Sequence, residues 1–222
     1  MKIIMLIRHG EQIDKRADTD LTHLGIQQAK GTGDHLKDEL GKLSPDGVKG
    51  VYSSESIRTR RTAEIATSFL GTPRIVTDVR LSEYMRGLPF EELTDDQRRE
   101  LLIQSGQDKG WKPEYVNPDT VESVAESVKR FTAFLQELPD APVGETPYTY
   151  LAFTHGGVKK EYLNSLPAEV TYGKWSGGRI EHCAMTTVVM DGENVTALEG
   201  VNDVTHLEVR GIEGGKPSAW RK

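Results

Sequence analysis

Cysteine is nearly absent from this chain: Cys183 is the single thiol in 222 residues. An intrachain disulfide is thereby excluded, and a reducing compartment is expected. Long apolar runs are missing too, none approaching the roughly 18 residues that cross a bilayer, so no membrane contact is expected. There is no excess of basic residues. Lys and Arg number 28 against 34 Asp and Glu, a net charge of −6, which argues against a nucleic-acid partner because such binding rests on a basic face. The six histidines are scattered, with no His-x-x-x-His or Cys-x-x-Cys spacing, so no metal site is expected. The strand pattern begins at Lys2, leaving no room for a signal peptide, and the expected location is cytoplasmic.

What is present begins with Ile3-Ile4-Met5-Leu6-Ile7, an unalternating aliphatic run of strand length that stops at Arg8-His9-Gly10-Glu11. Such a run reads as a strand buried on both faces. The arrangement returns in Tyr148-Thr149-Tyr150-Leu151-Ala152-Phe153, which ends in Thr154-His155-Gly156-Gly157. Ligands of open α/β sheets bind beyond the carboxyl ends of the strands. If the two strands are neighbours in one parallel sheet, both imidazoles face one pocket.

Between these runs the chain alternates helices with strands. Residues 11–21 read as a loop at the mouth of the site, with Asp18 and Asp20 in a solvated turn. Thr22 offers a cap for a helix over residues 23–40, and Gly31-Thr32-Gly33 inside it reads as close helix packing. A strand over Val48–Tyr52 leads to Ser53-Ser54-Glu55-Ser56, where a serine cap followed by Glu55 suits a helix start. Arg58 lies nearest the strand end, whereas Arg60 and Arg61 read as solvated. A strand is expected over 74–79 and a helix over 91–104, within a stretch from 84 to 119 that reads as a lid over the pocket. Asp119 or Thr120, with Glu122 as a capping box, is expected to start a helix carrying Val121, Val124, Val128, Phe131, Leu135 and Leu138. A helix carrying Val158, Tyr162, Leu163 and Leu166 follows His155. Met185–Met190 and Val195–Leu198 flank Asp191-Gly192 as an edge hairpin. The expected domain spans residues 1–210, with 211–222 a loose tail. The expected fold is a three-layer α/β/α sandwich with a mostly parallel central sheet.

Placed at strand ends, Arg8, His9, Arg58 and His155 give two permanent cations and two imidazoles, a pocket suited to phosphate. A neutral imidazole can attack phosphorus and carry the phosphoryl group covalently. The leaving alkoxide then needs an acid, and Glu83 is the candidate because it follows a strand-like segment and precedes the covering stretch.

With these residues assembled, the chain resembles the histidine phosphatase superfamily, which includes phosphoglycerate mutases. The resemblance runs over residues 2–207 in six ordered segments. Arg8-His9-Gly10-Glu11 resembles the namesake motif, implying that His9 accepts the phosphoryl group and Arg8 binds phosphate. Leu21-Thr22 with Gly25, Gln28 and Ala29 is similar to the family's helix start, and Ser53-Ser54 with Arg58, Thr62 and Ala63 to its second arginine motif. Leu81 and Glu83 with Gly87 resemble the proton-donor segment, Thr154-His155-Gly156-Gly157 the second histidine motif, and Asn202-Asp203 with His206-Leu207 the closing segment. The implied fold is phosphoglycerate mutase-like.

Departures bear on the substrate. Gln12 and Lys15 stand where threonine and a phosphate-binding asparagine are frequent. Leu88-Pro89-Phe90 replaces aromatic and acidic residues, Lys160 an arginine, and His182 an asparagine. Lys15 is expected to face solvent. The function expected is a phosphomonoesterase acting through phospho-His9, with Glu83 as acid, Arg8, Arg58 and His155 on the phosphate, and no cofactor. The alternatives are a bisphosphoglycerate-dependent mutase, usually a longer chain, and a protein phosphatase or a catalytically silent binding module on the same fold. A small phosphorylated metabolite is the expected partner, with a phosphoprotein as the variant.

Overall fold

The computed structural model describes residues 1–14, 18–41, 47–83, 88–89, 94–105, 115–116, 122–171, 175 and 177–214. In chain order, β1 (Lys2–Arg8) leads to α1 (His23–Leu40), β2 (Val48–Ser53), α2 (Ile57–Ala66) and β3 (Ile75–Thr77). Then come β4 (Leu88–Pro89), α3 (Asp95–Ser105), β5 (Tyr115–Val116) and α4 (Val124–Glu137). The remainder is β6 (Tyr148–Thr154), α5 (Gly156–Ser165), α6 (Ala168–Thr171), β7 (Met185–Asp191), β8 (Asn194–Asp203) and α7 (Thr205–Glu208). Short 3₁₀ turns at Ser68–Leu70 and Val79–Leu81 bracket β3.

Among the described residues six strands form one sheet in the order β3-β2-β6-β1-β7-β8. The four from β3 to β1 are mutually parallel, and the β7–β8 hairpin adds antiparallel strands beside β1. Both faces are covered, as the unalternating sequence of β1 requires. Ile4, Leu6, Tyr150 and Ala152 turn to one face and pack with Phe131 and Leu135 of α4 and Val158 and Tyr162 of α5. Ile7, Leu151 and Phe153 turn to the other, with Leu36 of α1 and Ala63 and Ala66 of α2. The result is a three-layer α/β/α sandwich. No described helix is long and apolar enough to cross a membrane.

Two glycines set how closely α1 packs. A Cβ on Gly33 would lie 3.0 Å from the Ala66 carbonyl oxygen, and one on Gly31 2.7 Å from Ile212. The Gly31-Thr32-Gly33 segment therefore serves close packing, as expected. Thr22 caps α1 through the Gly25 amide. At the other end of the sheet Lys2 is buried and donates from Nζ to the carbonyls of Gln136 (3.1 Å) and Leu138 (2.6 Å), satisfying the open end of α4.

Several expected boundaries move. The capping box of α4 is Ser123 with Glu126; Glu122 is instead held by Arg130, and Asp119, Thr120 and Val121 lie outside the described residues. Val124, expected on the buried stripe, is exposed. α2 begins at Ile57 after Ser56, not behind an earlier serine, because Ser53 completes β2 and the Ser54 amide donates to the Phe153 carbonyl. Residues 211–214 of the expected loose tail are tied down: the Ile212 amide donates to Leu207, and Gln28 Nε2 to the Glu213 carbonyl. Of the expected lid, only 88–89, 94–105 and 115–116 are described.

Candidate active site

The Arg8–Glu11 turn leaves the carboxyl end of β1 and is clamped by groups from α1 and α2. A Cβ on Gly10 would lie 2.7 Å from the Gly25 carbonyl oxygen, and one on Gly25 2.1 Å from that of Glu11. Only two glycines let these backbones meet. The Gly10 amide donates to Thr62 Oγ1 (3.0 Å), and that hydroxyl donates to the Arg58 carbonyl (2.7 Å). The Glu11 amide donates to Gln28 Oε1 (2.9 Å), while the Thr22 amide donates to the Glu11 carbonyl (2.9 Å). Thr22, Gly25, Gln28 and Thr62 therefore hold the turn that carries His9.

β1 pairs in parallel with β6, with Arg8 opposite Thr154, so His9 and His155 emerge side by side. Their ring centroids are 5.2 Å apart, edge to face, and both side chains are buried. His9 Nδ1 lies 2.7 Å from the Gly10 carbonyl oxygen. A carbonyl only accepts, so Nδ1 carries the proton and Nε2 the lone pair. Burial, then the charges of Arg8 and Arg58, push the His9 pKa well below its ordinary value of 6.5. His9 is a neutral imidazole with its lone pair on Nε2.

For His155 the proton lies on the other nitrogen. An Arg58 guanidinium nitrogen, donor only, sits 3.1 Å from Nδ1, which therefore accepts. Nε2–H donates to Ser54 Oγ (2.8 Å), which lies 2.6 Å from Thr59 Oγ1. The Thr59 hydroxyl ends the chain at the Ser56 carbonyl (2.8 Å). Burial, then His9, Arg58 and Arg8, hold the His155 pKa well below its ordinary value. Both ring nitrogens of His155 are thereby engaged within the protein.

Arg8 donates to the Ile180 carbonyl, and its Nε is buried without a hydrogen-bond partner among the described residues. Burial and the nearby Arg179 lower its pKa to about 10, against the charges of Glu83 and Glu181, so it remains a cation at neutral pH. A Cβ on Gly156 would lie 3.0 Å from that Nε, so the glycine after His155 leaves Arg8 its place. Glu83 sits at the start of α5, accepting from the amides of Gly157 (2.9 Å) and Val158 (2.8 Å). Arg8, His9, Arg58, His155 and Glu83 are thus brought together. Arg60 and Arg61 are exposed, as expected. Lys15 lies outside the described residues.

Further side chains reach the site. Asp18, expected in a solvated turn, accepts from the Ile57 amide (3.0 Å) and pairs with Arg58 (3.0 Å). Its signal was an acidic residue in a mouth loop, which points equally to solvent. His182 is buried with its ring 5.6 Å from that of His9, carried on the turn where Cys183 takes a positive φ of 54°. Burial pushes the Cys183 thiol up to about 12, leaving it inert. Lys159 is fully buried and donates to the carbonyls of Leu6 and Ala184 (both 2.9 Å); burial, then Arg8, lower its pKa well below 10.5. Among the described residues no three His, Cys, Asp or Glu side chains are grouped to hold a metal ion.

Paired imidazoles between two arginines, at the carboxyl ends of adjacent parallel strands, define a class of protein with a cationic pocket around neutral imidazole nitrogens. The chain belongs to the histidine phosphatase superfamily (branch 1), whose family model matches residues 4–204. Its fold is phosphoglycerate mutase-like. A probable phosphoglycerate mutase, GpmB of Salmonella arizonae, is 28% identical over 233 residues, covering 95% of this chain and 97% of that one. The solved structure of Bacillus stearothermophilus YhfR superposes with a TM-score of 0.66 at 26% identity, covering 93% of this chain and 100% of the other. A mycobacterial glucosyl-3-phosphoglycerate phosphatase in complex with inorganic phosphate shares the fold, with a TM-score of 0.63 at 21% identity, covering 93% and 99%.

Proposed function

We propose that the protein is a phosphomonoesterase that hydrolyses a phosphate ester of a small metabolite through a phosphohistidine on His9. The observation carrying this reading is the Nδ1 contact with the Gly10 carbonyl, which leaves Nε2 unprotonated beside two guanidinium groups. Nε2 attacks phosphorus, the bond to the ester oxygen breaks, and the departing alkoxide takes a proton from Glu83. Arg8 and Arg58, with His155 behind Arg58, stabilise charge on the non-bridging oxygens. Water then attacks the phosphorus of phospho-His9, Glu83 takes the water proton, and the phosphorus–nitrogen bond breaks to release inorganic phosphate. The cycle requires Glu83 to enter protonated and leaves it so.

A mutase is the second reading, favoured by the similarity to the probable phosphoglycerate mutase of Salmonella arizonae. That relative is matched almost end to end, so chain length does not separate the two readings. Charge does. Asp18 is paired with Arg58, and the charge of Glu181 reaches Arg8. Negative charge beside both arginines favours release of inorganic phosphate over retention of a bisphosphate.

The test is a turnover screen of phosphorylated metabolites and phosphopeptides, reading free phosphate and positional isomers, with wild type and His9→Ala. Phosphate release lost in His9→Ala, with the fold intact by circular dichroism, is the expected result. Isomerisation without net release would establish the mutase, and undiminished release by His9→Ala would reject the nucleophile.

A further inference from the structure

The sequence places Arg130 in the middle of α4, far from any recognised motif, yet its guanidinium reaches the segment that carries the candidate acid. It donates to the carbonyl of Arg80 (2.7 Å) and to that of Glu83 (3.2 Å). The same guanidinium grips the Glu122 carboxylate in a fork, through Nε to one oxygen and a terminal nitrogen to the other (2.8 Å). The two side chains are only 17% and 12% exposed. A fork of this kind has one low-energy orientation, so Glu122 decides where the remaining N–H groups point.

Glu83 is therefore held from two directions. α5 fixes its carboxylate through the Gly157 and Val158 amides. α4, through Arg130, fixes its main chain. Two further ties bind the preceding residues: Thr154 Oγ1 donates to the Leu81 carbonyl (2.7 Å), and Arg80 forms an ion pair with Glu137 of α4 (2.6 Å). Thr154 directly precedes His155, so the acid segment is registered against the strand that carries the second imidazole.

We infer that Arg130, locked by Glu122, is a positioning residue for proton delivery by Glu83, and that the pair selects for esters whose alkoxide cannot leave unprotonated. This rests on the phosphatase reading above. Proton transfer demands hydrogen-bond reach of the leaving oxygen, whereas attack by His9 does not involve this segment. Loosening the fork moves the acid and leaves the nucleophile in place. Alkyl esters, with strongly basic leaving groups, need the proton; aryl esters, whose phenolate leaves readily, do not.

The experiment compares kcat and KM for glycerol phosphate and p-nitrophenyl phosphate in wild type, Glu83→Gln, Arg130→Lys and the near-isosteric Glu122→Gln, with thermal unfolding of each. Arg130→Lys keeps the charge and loses the fork. For Arg130→Lys and Glu122→Gln, kcat/KM, which ends at formation of phospho-His9 and so leaves out the water step that Glu83 also serves, is expected to fall at least about tenfold for the alkyl ester and to stay within about threefold for the aryl ester. Equal losses on both esters, or no loss on either, in a folded Glu122→Gln would overturn the inference. Glu83→Gln separates the two levels. If it shows the alkyl–aryl split and the fork variants do not, only the positioning role fails; if it shows none, the acid assignment falls and this inference with it.

Discussion

Arg58 donates to Nδ1 of His155 across 3.1 Å, and this contact, more than the histidine's place in a motif, decides which way the imidazole is protonated. A guanidinium has no lone pair to offer. It can approach Nδ1 so closely only while that nitrogen is bare, which ties occupation of the site by a cation to a neutral His155.

The first expectation concerns the pH profile. His9 and His155 both titrate well below 6.5, with burial the largest cause in each and the arginines adding to it. Their neutral forms persist as pH falls through the range where an ordinary histidine protonates. The acid limb of kcat/KM, corrected for the ester's own ionisation, should therefore lie well below the 6.5 of an ordinary histidine. In Arg58→Met one of the charges depressing both imidazoles is gone, so the limb should move up toward 6.5 along with a large loss of rate. A wild-type limb at 6.5 or above would show that His9 is not held neutral.

Asp18→Asn tests what occupies Arg58 in the resting enzyme. Asp18 is 46% exposed, so its ion pair is worth at most about 1 kcal/mol. Removing the competing carboxylate should tighten inhibition by inorganic phosphate by up to roughly fivefold. Steady-state inhibition measures this directly. Weaker inhibition in the variant would mean that Asp18 orients Arg58 more than it competes with the anion.

Gly156→Ala addresses the placement of Arg8. The added methyl would press against the Arg8 guanidinium, 3.0 Å from Nε and 3.3 Å from Cζ. A flexible side chain can retreat, so the fold should survive while the cation moves away from the phosphate. A displacement near 1 Å is expected to cost kcat/KM about 100-fold with little change in unfolding midpoint. Full activity would show that Arg8 is not held where the anion binds.

The parts of this site that were legible in sequence are those specified by neighbours in the chain. β1 and β6 announce themselves as aliphatic and aromatic runs, and each ends at its histidine, so only their pairing had to be supplied. Thr22 and the apolar spacing of α1 are likewise local signals. The contacts that were not legible join residues whose separation says nothing of proximity. Asp18 meets Arg58 because the mouth loop and α2 leave neighbouring parts of the site, and Arg130 meets Glu83 because α4 packs beside the strand end. Glu122 was drawn toward a capping box because an acid three residues after Asp119 satisfies that pattern; the Arg130 fork is the stronger partner. The start of α2 after Ser56, later than the expected serine cap, has a related cause. Ser54 lies close to the helix in sequence, but its hydroxyl oxygen accepts from His155 Nε2.

The last expectation concerns stability at low pH, and it falls on His206, away from the catalytic centre. Thr32 spends its hydroxyl proton on the Gln28 carbonyl (2.9 Å), so it accepts from His206 Nε2 at 3.1 Å. His206 is buried, and its ring stacks on His35 at 5.1 Å. Burial, then the neighbouring His35, lower its pKa to about 4, against the pull of Asp203. The folded protein therefore holds this histidine neutral, while the unfolded chain protonates near 6.5. Above that value both states carry the neutral form and the contribution to stability is complete. As pH falls from 6.5 toward 4 the unfolded state alone gains the proton, and stability drops by up to about 1.4 kcal/mol per unit, roughly 3 kcal/mol in all. His206→Gln keeps a donor for Thr32 and removes the titration. Its urea-unfolding free energy should start below that of wild type at pH 7.5 and decline less steeply between pH 6.5 and 4, so that the two curves converge; parallel curves would place the acid sensitivity of the fold elsewhere.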